Sequence, residues 1–181
     1  SAVPGDATTL AALRSRYGVT TVASSSATQA TAQFAVHRSN NYSPSDLAAF
    51  HAKFGVGSPG SPVPTVVTVG DNDPAHPGEE GTLDIQILSG IAGGAATTSF
   101  WNTDGGSESF ADWAIGVLAS ADPPLVHSVS YDDYEEQDSE EFMRRGDIEF
   151  MKAGVRGLTI LFASGDYGTG CNMSTLPAKF A

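Results

Sequence analysis

The sequence predicts an α/β protein built on a parallel β-sheet with helices on both faces. From residue 64 onward, short β-branched and apolar runs alternate with longer stretches whose apolar side chains recur at helical spacing. Several of the strand-like runs are nearly continuous in apolar residues, which is typical of parallel strands covered on both faces. Strands that alternate with helices in this way pair in parallel, so we expect one doubly wound sheet.

The first third of the chain is predicted to hold two helices and no strand. Thr8 or Thr9 caps a short helix that runs to Tyr17, and Pro44 opens a second helix that ends at Gly55. Between them, residues 24–31 are rich in Ser, Thr and Ala, and we predict a surface loop there.

The remaining elements follow in strict alternation. Glycine, proline or acidic residues separate them, and these residue types favour turns over regular structure. The predicted order is a buried strand at residues 64–70, a helix from Glu79 to about Ile91, a strand at 97–102, a helix at 107–120, a strand at 125–131, a helix at 139–155 and a strand at 158–163. After residue 165 no further element closes the sheet, so we expect this chain to form the N-terminal portion of a larger domain.

Composition narrows the class of protein. The chain has 181 residues, of which 40% are hydrophobic, too many for a disordered tail. Its apolar runs all end well before the roughly 18 residues of a membrane helix, so membrane insertion is not expected. The formal net charge of -12 repels phosphate backbones, which argues against a nucleic-acid partner. Either solubility or adaptation to an acidic compartment accounts for this charge.

The single cysteine and two possible glycosylation sites indicate in which cellular compartment the protein resides. Cys171 is the sole cysteine, so it is either a buried free thiol or a partner in a disulfide with another chain. The triplets that begin at Asn41 and Asn172 match the acceptor motif for N-glycans, so these two residues are candidate glycosylation sites. Together these features favour the secretory pathway.

The segment Glu80-Gly81-Thr82-Leu83-Asp84 is the first candidate for chemistry. Its two carboxylates lie one helical turn apart and therefore on one face of the predicted helix. If they share a site of low dielectric, both cannot ionise readily, and the pair can serve as a base and a proton relay. The alternative is an ordinary first turn, where the helix dipole favours acidic residues.

Two further candidates lie where predicted strands end. Asp166 follows the strand at 158–163 in a glycine-rich turn, where it could bind a metal, cap a helix or donate a proton. Ser130, Asp132 and Asp133 lie at the end of the strand at 125–131. Seven of the ten residues from 132 to 141 are acidic, so most of that run must be solvated, and only its first two aspartates are retained as site candidates.

Taken in order, these motifs resemble the sedolisin, or serine-carboxyl peptidase, family, and in particular its lysosomal tripeptidyl-peptidase branch. The similarity includes the Glu80 to Asp84 motif, is strongest over residues 126–131 and 151–171, and covers essentially the whole chain. The resemblance implies a subtilisin-like fold with a Ser-Glu-Asp triad. In that triad Glu80 is the general base, Asp84 holds and tunes Glu80, and a protonated Asp166 stabilises the oxyanion.

The resemblance also implies activity at acidic pH on peptide substrates, with Ser130, Asp132 and Asp133 beside the bound peptide. The family's nucleophile lies in a Gly-Thr-Ser-Ala-Ser motif that does not occur in these residues, so this chain is expected to act only with the C-terminal half of the domain. Cys171 would form a disulfide with that half. A calcium ion would be bound there too, and no metal ligand is assigned to this chain.

Specificity and location follow from the same resemblance. We expect release of tripeptides from free peptide N-termini, in a lysosome, another acidic compartment or outside the cell. One alternative is a sedolisin endopeptidase. Another is a catalytically inactive relative that serves as a binding or structural component. Retention of all three acidic residues argues against the second alternative.

Overall fold

The computed structural model describes residues 8–19, 28–34, 40–57, 64–94, 96–103, 109–132 and 138–166. Within these ranges the chain forms five helices and five strands. The helices are α1 (Leu10–Arg16), α2 (Pro44–Lys53), α3 (Glu79–Ala92), α4 (Ser109–Ala119) and α5 (Glu140–Val155). The strands are β1 (Thr28–Phe34), β2 (Val66–Val69), β3 (Thr97–Thr103), β4 (Val126–Val129) and β5 (Thr159–Phe162).

The strands form one parallel sheet in the order β2-β3-β1-β4-β5. Helix α3 packs on one face of the sheet, with α1 and α2 against it, whereas α4 and α5 pack together on the other face. The prediction of an α/β parallel sheet with helices on both faces is therefore confirmed, and the arrangement is consistent with a subtilisin-like fold.

Local sequence signals explain where most helices begin. The side chains of Thr9, Ser43 and Ser139 accept hydrogen bonds from backbone N–H groups in the first turns of α1, α2 and α5, as N-cap residues do. Helix α3 differs, because its N-cap is Gly78 and no side chain caps it. None of the helices in the described ranges is long and apolar enough to cross a membrane.

Strand β1 is the main departure from the sequence prediction. The loop predicted at residues 24–31 is wrong from Thr28 onward, where the chain enters the central strand of the sheet. The run Thr-Gln-Ala-Thr-Ala-Gln-Phe has no Val or Ile, and its polar residues alternate with Ala and Phe. The polar side chains of β1 are stable inside the fold because α3 and its neighbours provide hydrogen-bond partners.

Strand β2 was predicted to be buried, and this is also wrong. Among the described strands it lies at the edge of the sheet and pairs with β3 alone, and Val67 is 45% exposed. A β-branched run has the same composition at an edge as at the centre, so burial depends on neighbours that the local sequence does not reveal.

Two apolar cores flank the sheet. Between the sheet and α4 and α5 lies the larger core, which contains Phe34, Trp101 and Trp113. A smaller core on the opposite face joins Tyr42, Leu47, Ile85 and Phe100. Residues 31 and 32 of β1 pair with Phe100 and Trp101 of β3, so consecutive residues of these strands contribute to opposite cores.

Candidate active site

The sequence-predicted acidic residues meet at the carboxyl ends of β1 and β4. After β1 the chain builds β2 and β3 on one side of that strand, and it then crosses to β4 on the other side. This is the switch point of the sheet, where open α/β sheets form their ligand sites. The end of β1, the residues after β4 and the first turns of α3 all reach this point.

The start of α3 is held in place by the backbone of residues 40 and 41. The Gly78 N–H donates to the Asn41 carbonyl at 2.8 Å. A Cβ atom on Gly81 would lie only 2.3 Å from the Asn40 carbonyl oxygen. Glycine at position 81 therefore allows the two backbones to touch, and this close approach fixes the helix turn that carries Glu80.

Asp84 accepts hydrogen bonds from three side chains. Its Oδ2 accepts from Gln33 Nε2 at 2.8 Å and from Thr31 Oγ1 at 3.3 Å. Its Oδ1 accepts from Ser130 Oγ at 2.8 Å. Donors on both oxygens stabilise the ionised form of a carboxylate, so this site is built to hold a negative charge on Asp84.

Glu80 lies one turn earlier on the same face, and its surroundings favour the protonated carboxyl group. Partial burial raises the pKa of Glu80, and the charge of Asp84, a hydrogen bond with Asp84 and the charge of Asp166 raise it further. A hydrogen bond with Ser130 opposes this change by lowering the pKa. The two carboxyl groups therefore interact directly, and Asp84 is one cause of the raised pKa of Glu80.

A buried side chain that the sequence analysis missed links this pair to β4. Gln33 is completely buried, and besides donating to Asp84 it accepts a hydrogen bond from the Tyr131 hydroxyl at 2.6 Å. Burial and the charges of Asp84 and Glu80 raise the pKa of Tyr131, which therefore remains a neutral donor. The alternation of polar and apolar residues in 28–34 was the available signal, since a half-polar strand in a covered sheet needs partners.

Asp166 and Asp132 lie on neighbouring turns at the same edge of the sheet. Asp166 is exposed and follows β5, and its charge acts on Glu80. Gly165 adopts a positive φ of 83°, and a Cβ atom there would lie 3.0 Å from Oδ2 of Asp132. The structure thus brings Glu80, Asp84, Ser130, Asp132 and Asp166 to one edge.

Comparison with known proteins finds relatives that are similar to most of this chain. The chain is 38% identical over 146 residues to tripeptidyl-peptidase 1 of Dictyostelium discoideum, 80% of this chain and 23% of that protein. It is 37% identical over 166 residues to the human protein of the same name and 38% identical to the mouse protein, covering 88% of this chain and 29% of each relative. No family model matches the chain. Each of these relatives is named tripeptidyl-peptidase 1, which is a member of the sedolisin family. This chain spans only about a quarter of the length of the curated relatives it matches.

Two cavities flank the acidic residues of this chain. An open cleft of about 710 Å³ lies beside Tyr131 and Asp132 and is lined by the rings of Phe110, Phe150 and Phe162. A smaller cavity of about 300 Å³ borders Asp84 on the α3 face of the sheet. The larger cleft does not contain the carboxylate pair, but it adjoins the residues that follow β4.

Not every predicted site residue falls in the described ranges. Asp133, Cys171 and Asn172 lie outside them. Asn41 is described, and its Oδ1 accepts from the Asp73 N–H at 3.0 Å in the loop that leads to α3. Its backbone supports α3, but its side chain is not part of the acidic cluster.

The calcium ion implied by the sedolisin resemblance was expected to bind outside this chain. Among the described residues, no group of three or more His, Cys, Asp or Glu side chains could hold a metal ion. We therefore assign no calcium ligand here and derive no step through a metal.

Proposed function

We propose that this chain supplies the general base, its partner carboxylate and the oxyanion-stabilising acid of an acid-acting serine-carboxyl peptidase that removes tripeptides from free N-termini. The observation that carries this proposal is the Glu80–Asp84 pair at the switch point of the sheet, with three donors on Asp84 and a raised pKa on Glu80. The identity to proteins named tripeptidyl-peptidase 1 supports the reaction class.

Glu80 acts as the base in this proposal. A general base works best when its pKa lies near the working pH, and the raised pKa of Glu80 suits a mildly acidic medium. Ionised Glu80 takes the proton of a serine hydroxyl as that oxygen attacks the peptide carbonyl, and it later returns the proton to the leaving amine. Asp84, held by its three donors, hydrogen-bonds to Glu80 and orients it.

Asp166 stabilises the oxyanion. The oxygen of the tetrahedral intermediate carries a developing negative charge, and a carboxyl group can donate a hydrogen bond to it only when protonated. Asp166 lies after β5 at the edge that holds Glu80, within range of its charge. Its role therefore also requires an acidic medium.

The substrate lies beside the residues that follow β4. The Ser130 hydroxyl is already bound to Asp84, which leaves the backbone of this segment to face the peptide. Tyr131 and Asp132 line the aromatic cleft of about 710 Å³, which offers room for a substrate side chain. A carboxylate at this position, with Asp133 next in sequence, provides a partner for the ammonium group of a free N-terminus.

The serine comes from polypeptide outside this chain. On the α3 face, β4 and β5 are not covered by the described helices, and the side chains of Leu83 and Leu161 are 54% and 58% exposed. Apolar surface of this kind is stabilised when further polypeptide packs on it. We propose that the C-terminal half of the domain does so, linked through Cys171, and carries the calcium site. The proposed compartment is a lysosome or another acidic secretory space, with Asn41 and Asn172 as candidate glycosylated residues.

Tripeptide release is tested with the complete protein that contains this chain. Peptides with a free N-terminus and their N-acetylated counterparts are incubated at acidic pH, and the products are identified by mass spectrometry. We expect tripeptides from the free peptides and no cleavage of the acetylated ones. Cleavage of the acetylated peptides would indicate an endopeptidase, and a folded protein that cleaves neither would indicate an inactive relative.

The link to the missing half has a separate test. The intact mass of the mature protein is measured with and without a reducing agent. Separation into two polypeptides only after reduction supports a disulfide through Cys171 between two chains. If the two halves remain one polypeptide, peptide mapping without reduction identifies the partner of Cys171. A free thiol on Cys171 contradicts the disulfide.

A further inference from the structure

We propose that Gln33 and Tyr131 are positioning residues that hold Asp84 in the orientation in which it meets Glu80. The Gln33 amide donates to Asp84, and the Tyr131 hydroxyl fixes which way that amide points. This inference rests on the proposed function for its effect on turnover, but the arrangement of the three groups is read directly from their contacts.

The first step is the direction of the hydrogen bonds. An ionised carboxylate only accepts, so the Gln33 atom that faces Asp84 Oδ2 at 2.8 Å must be the NH₂ group. The other end of the amide, Oε1, then accepts from the Tyr131 hydroxyl at 2.6 Å. If the amide turned over, its oxygen would face the carboxylate. The hydrogen bonds therefore run in one direction, from Tyr131 to Gln33 and from Gln33 to Asp84.

Burial is the second step. Gln33 is completely buried, and Tyr131 packs edge-on against Phe34 with ring centroids 5.2 Å apart. A buried amide that loses a partner is destabilised by about 1–3 kcal/mol, so the two contacts hold each other in place. Gln33 Nε2 also lies 3.1 Å from Thr31 Oγ1, a second acceptor that restrains it.

The third step concerns charge. Among the described residues, the titratable groups facing this site are Asp84 and Glu80 on α3, Tyr131 after β4 and Asp166 after β5. Gln33 is the neutral member, and it donates to Asp84 without adding charge. If Asp84 loses this donor, its carboxyl group is no longer held in the same place beside Glu80, and its influence on the raised pKa of Glu80 is weakened.

Strand β1 contains its own control. Gln29 lies four residues before Gln33, also with its side chain toward α3, but it donates to the Leu88 carbonyl at 3.2 Å and to Thr98 Oγ1 at 2.9 Å. Neither acceptor is a titratable group. Gln29→Leu therefore removes a comparable amide from the same strand without touching the acidic pair.

The test compares wild type, Gln33→Leu, Gln33→Glu, Tyr131→Phe and Gln29→Leu in the complete protein. The carboxyl carbon of Glu80 is labelled with ¹³C and its NMR shift is followed with pH, because Asp84 is one cause of the raised pKa of Glu80. We expect Gln33→Leu to move the Glu80 titration back toward its ordinary value, Tyr131→Phe to move it less in the same direction, and Gln29→Leu to leave it unchanged. In wild type, the Gln33 side-chain amide signal should follow the same titration.

The Gln33→Glu variant provides the most specific test. A protonated glutamate has one O–H donor for Asp84 and one carbonyl acceptor for Tyr131, so it reproduces both contacts. An ionised glutamate cannot donate and adds a negative charge. Peptide turnover by Gln33→Glu should therefore approach that of wild type at the acidic end and decline as pH rises. Gln33→Leu should lose about tenfold in kcat with little change in KM, since a hydrogen bond to a charged group is removed.

The outcomes separate this inference from the proposed function. If wild type cleaves peptides but Gln33→Leu and Gln29→Leu give the same Glu80 titration, the positioning role is wrong. Should Gln33→Leu fail to fold, an amide signal of Gln33 that does not change with the Glu80 titration in wild type would overturn it equally well. If the titrations move as expected while wild type cleaves no peptide, the positioning role is supported and the proposed peptidase activity fails.

Discussion

The two faces of strand β1 show how one short segment serves both folding and chemistry. Ala32 and Phe34 face α4 and α5, where Phe34 packs against Phe110 with ring centroids 4.8 Å apart. Thr31 and Gln33 face α3 and donate to Asp84. The apolar face is stabilised by burial alone, whereas the polar face is stable only because each donor meets an acceptor. The difference indicates that substitutions on the two faces should affect different properties.

The largest expected effect comes from a pair of variants, one on each side of the sheet. Glu80→Gln removes the proposed base, so turnover should fall by roughly 10²–10⁴-fold while the protein stays folded. Trp113→Ala removes a completely buried ring from the α4 core and should lower the free energy of unfolding by about 3–5 kcal/mol. Peptide turnover and urea unfolding are measured for both.

Comparing these two variants separates a loss of catalysis from a loss of stability. Trp113→Ala should retain kcat when the rate is expressed per folded molecule, because Trp113 lies in the core on the opposite face of the sheet from Glu80 and Asp84. Wild-type turnover by Glu80→Gln would refute the assignment of the base.

The close approach at the start of α3 gives the second prediction. Gly81→Ala places a methyl group against the Asn40 carbonyl, where a Cβ atom would be 2.3 Å away. The helix start must shift, so we expect a loss of about 1–3 kcal/mol in stability, typical of overpacking, together with reduced turnover. Gly154→Ala in α5 is the control, because no described atom outside the local backbone of α5 lies within 4 Å of its Cβ position. Helix propensity alone should make that variant more stable by about 0.5–1 kcal/mol. Equal effects of the two substitutions would show that the contact with residue 40 does not hold α3.

The smallest effects concern the pH dependence of stability, and the two regions differ in sign. The pKa of Glu80 is raised above its ordinary value of 4.5, so the unfolded chain loses this proton first, and stability falls as pH rises from about 4.5 through the folded pKa. Burial lowers the pKa of His127 below its ordinary 6.5, so the unfolded chain gains this proton first, and stability falls as pH drops below 6.5.

Urea unfolding at several pH values separates the two contributions. Glu80→Gln should flatten the loss on the rising side, and His127→Gln should flatten the loss on the acidic side. His127 is completely buried, with Nε2 donating to the Pro124 carbonyl at 2.8 Å. Identical pH profiles for wild type and Glu80→Gln would mean that folding does not perturb this carboxyl.

The sequence was sufficient to predict α3 and its two carboxylates, but not their partners. Glu80 and Asp84 are four residues apart on one helix, so local spacing places them on one face. Gln33 is 51 positions away from Asp84, and nothing in residues 28–34 indicates which element they meet. The central strand β1 was therefore mistaken in part for a loop.

The local sequence also could not predict whether a strand lies at the edge or at the centre of the sheet. Strand β2 has the β-branched composition of a buried strand but lies at the edge of the sheet, because sheet order depends on how the whole chain crosses over. The position of Asp166 was easier to predict from the sequence. In any parallel sheet, a residue in the turn directly after a strand lies at the carboxyl edge.

The central claim is that Glu80 and Asp84 form one coupled acidic pair, and the most direct test is the titration of Glu80 itself. The carboxyl carbon of Glu80 is followed by ¹³C NMR against pH in wild type and in Asp84→Asn. We expect Glu80 to titrate above the ordinary value of 4.5 in wild type, and to move back toward it when the neighbouring charge is removed. An ordinary titration of Glu80 that Asp84→Asn leaves unchanged would contradict the account.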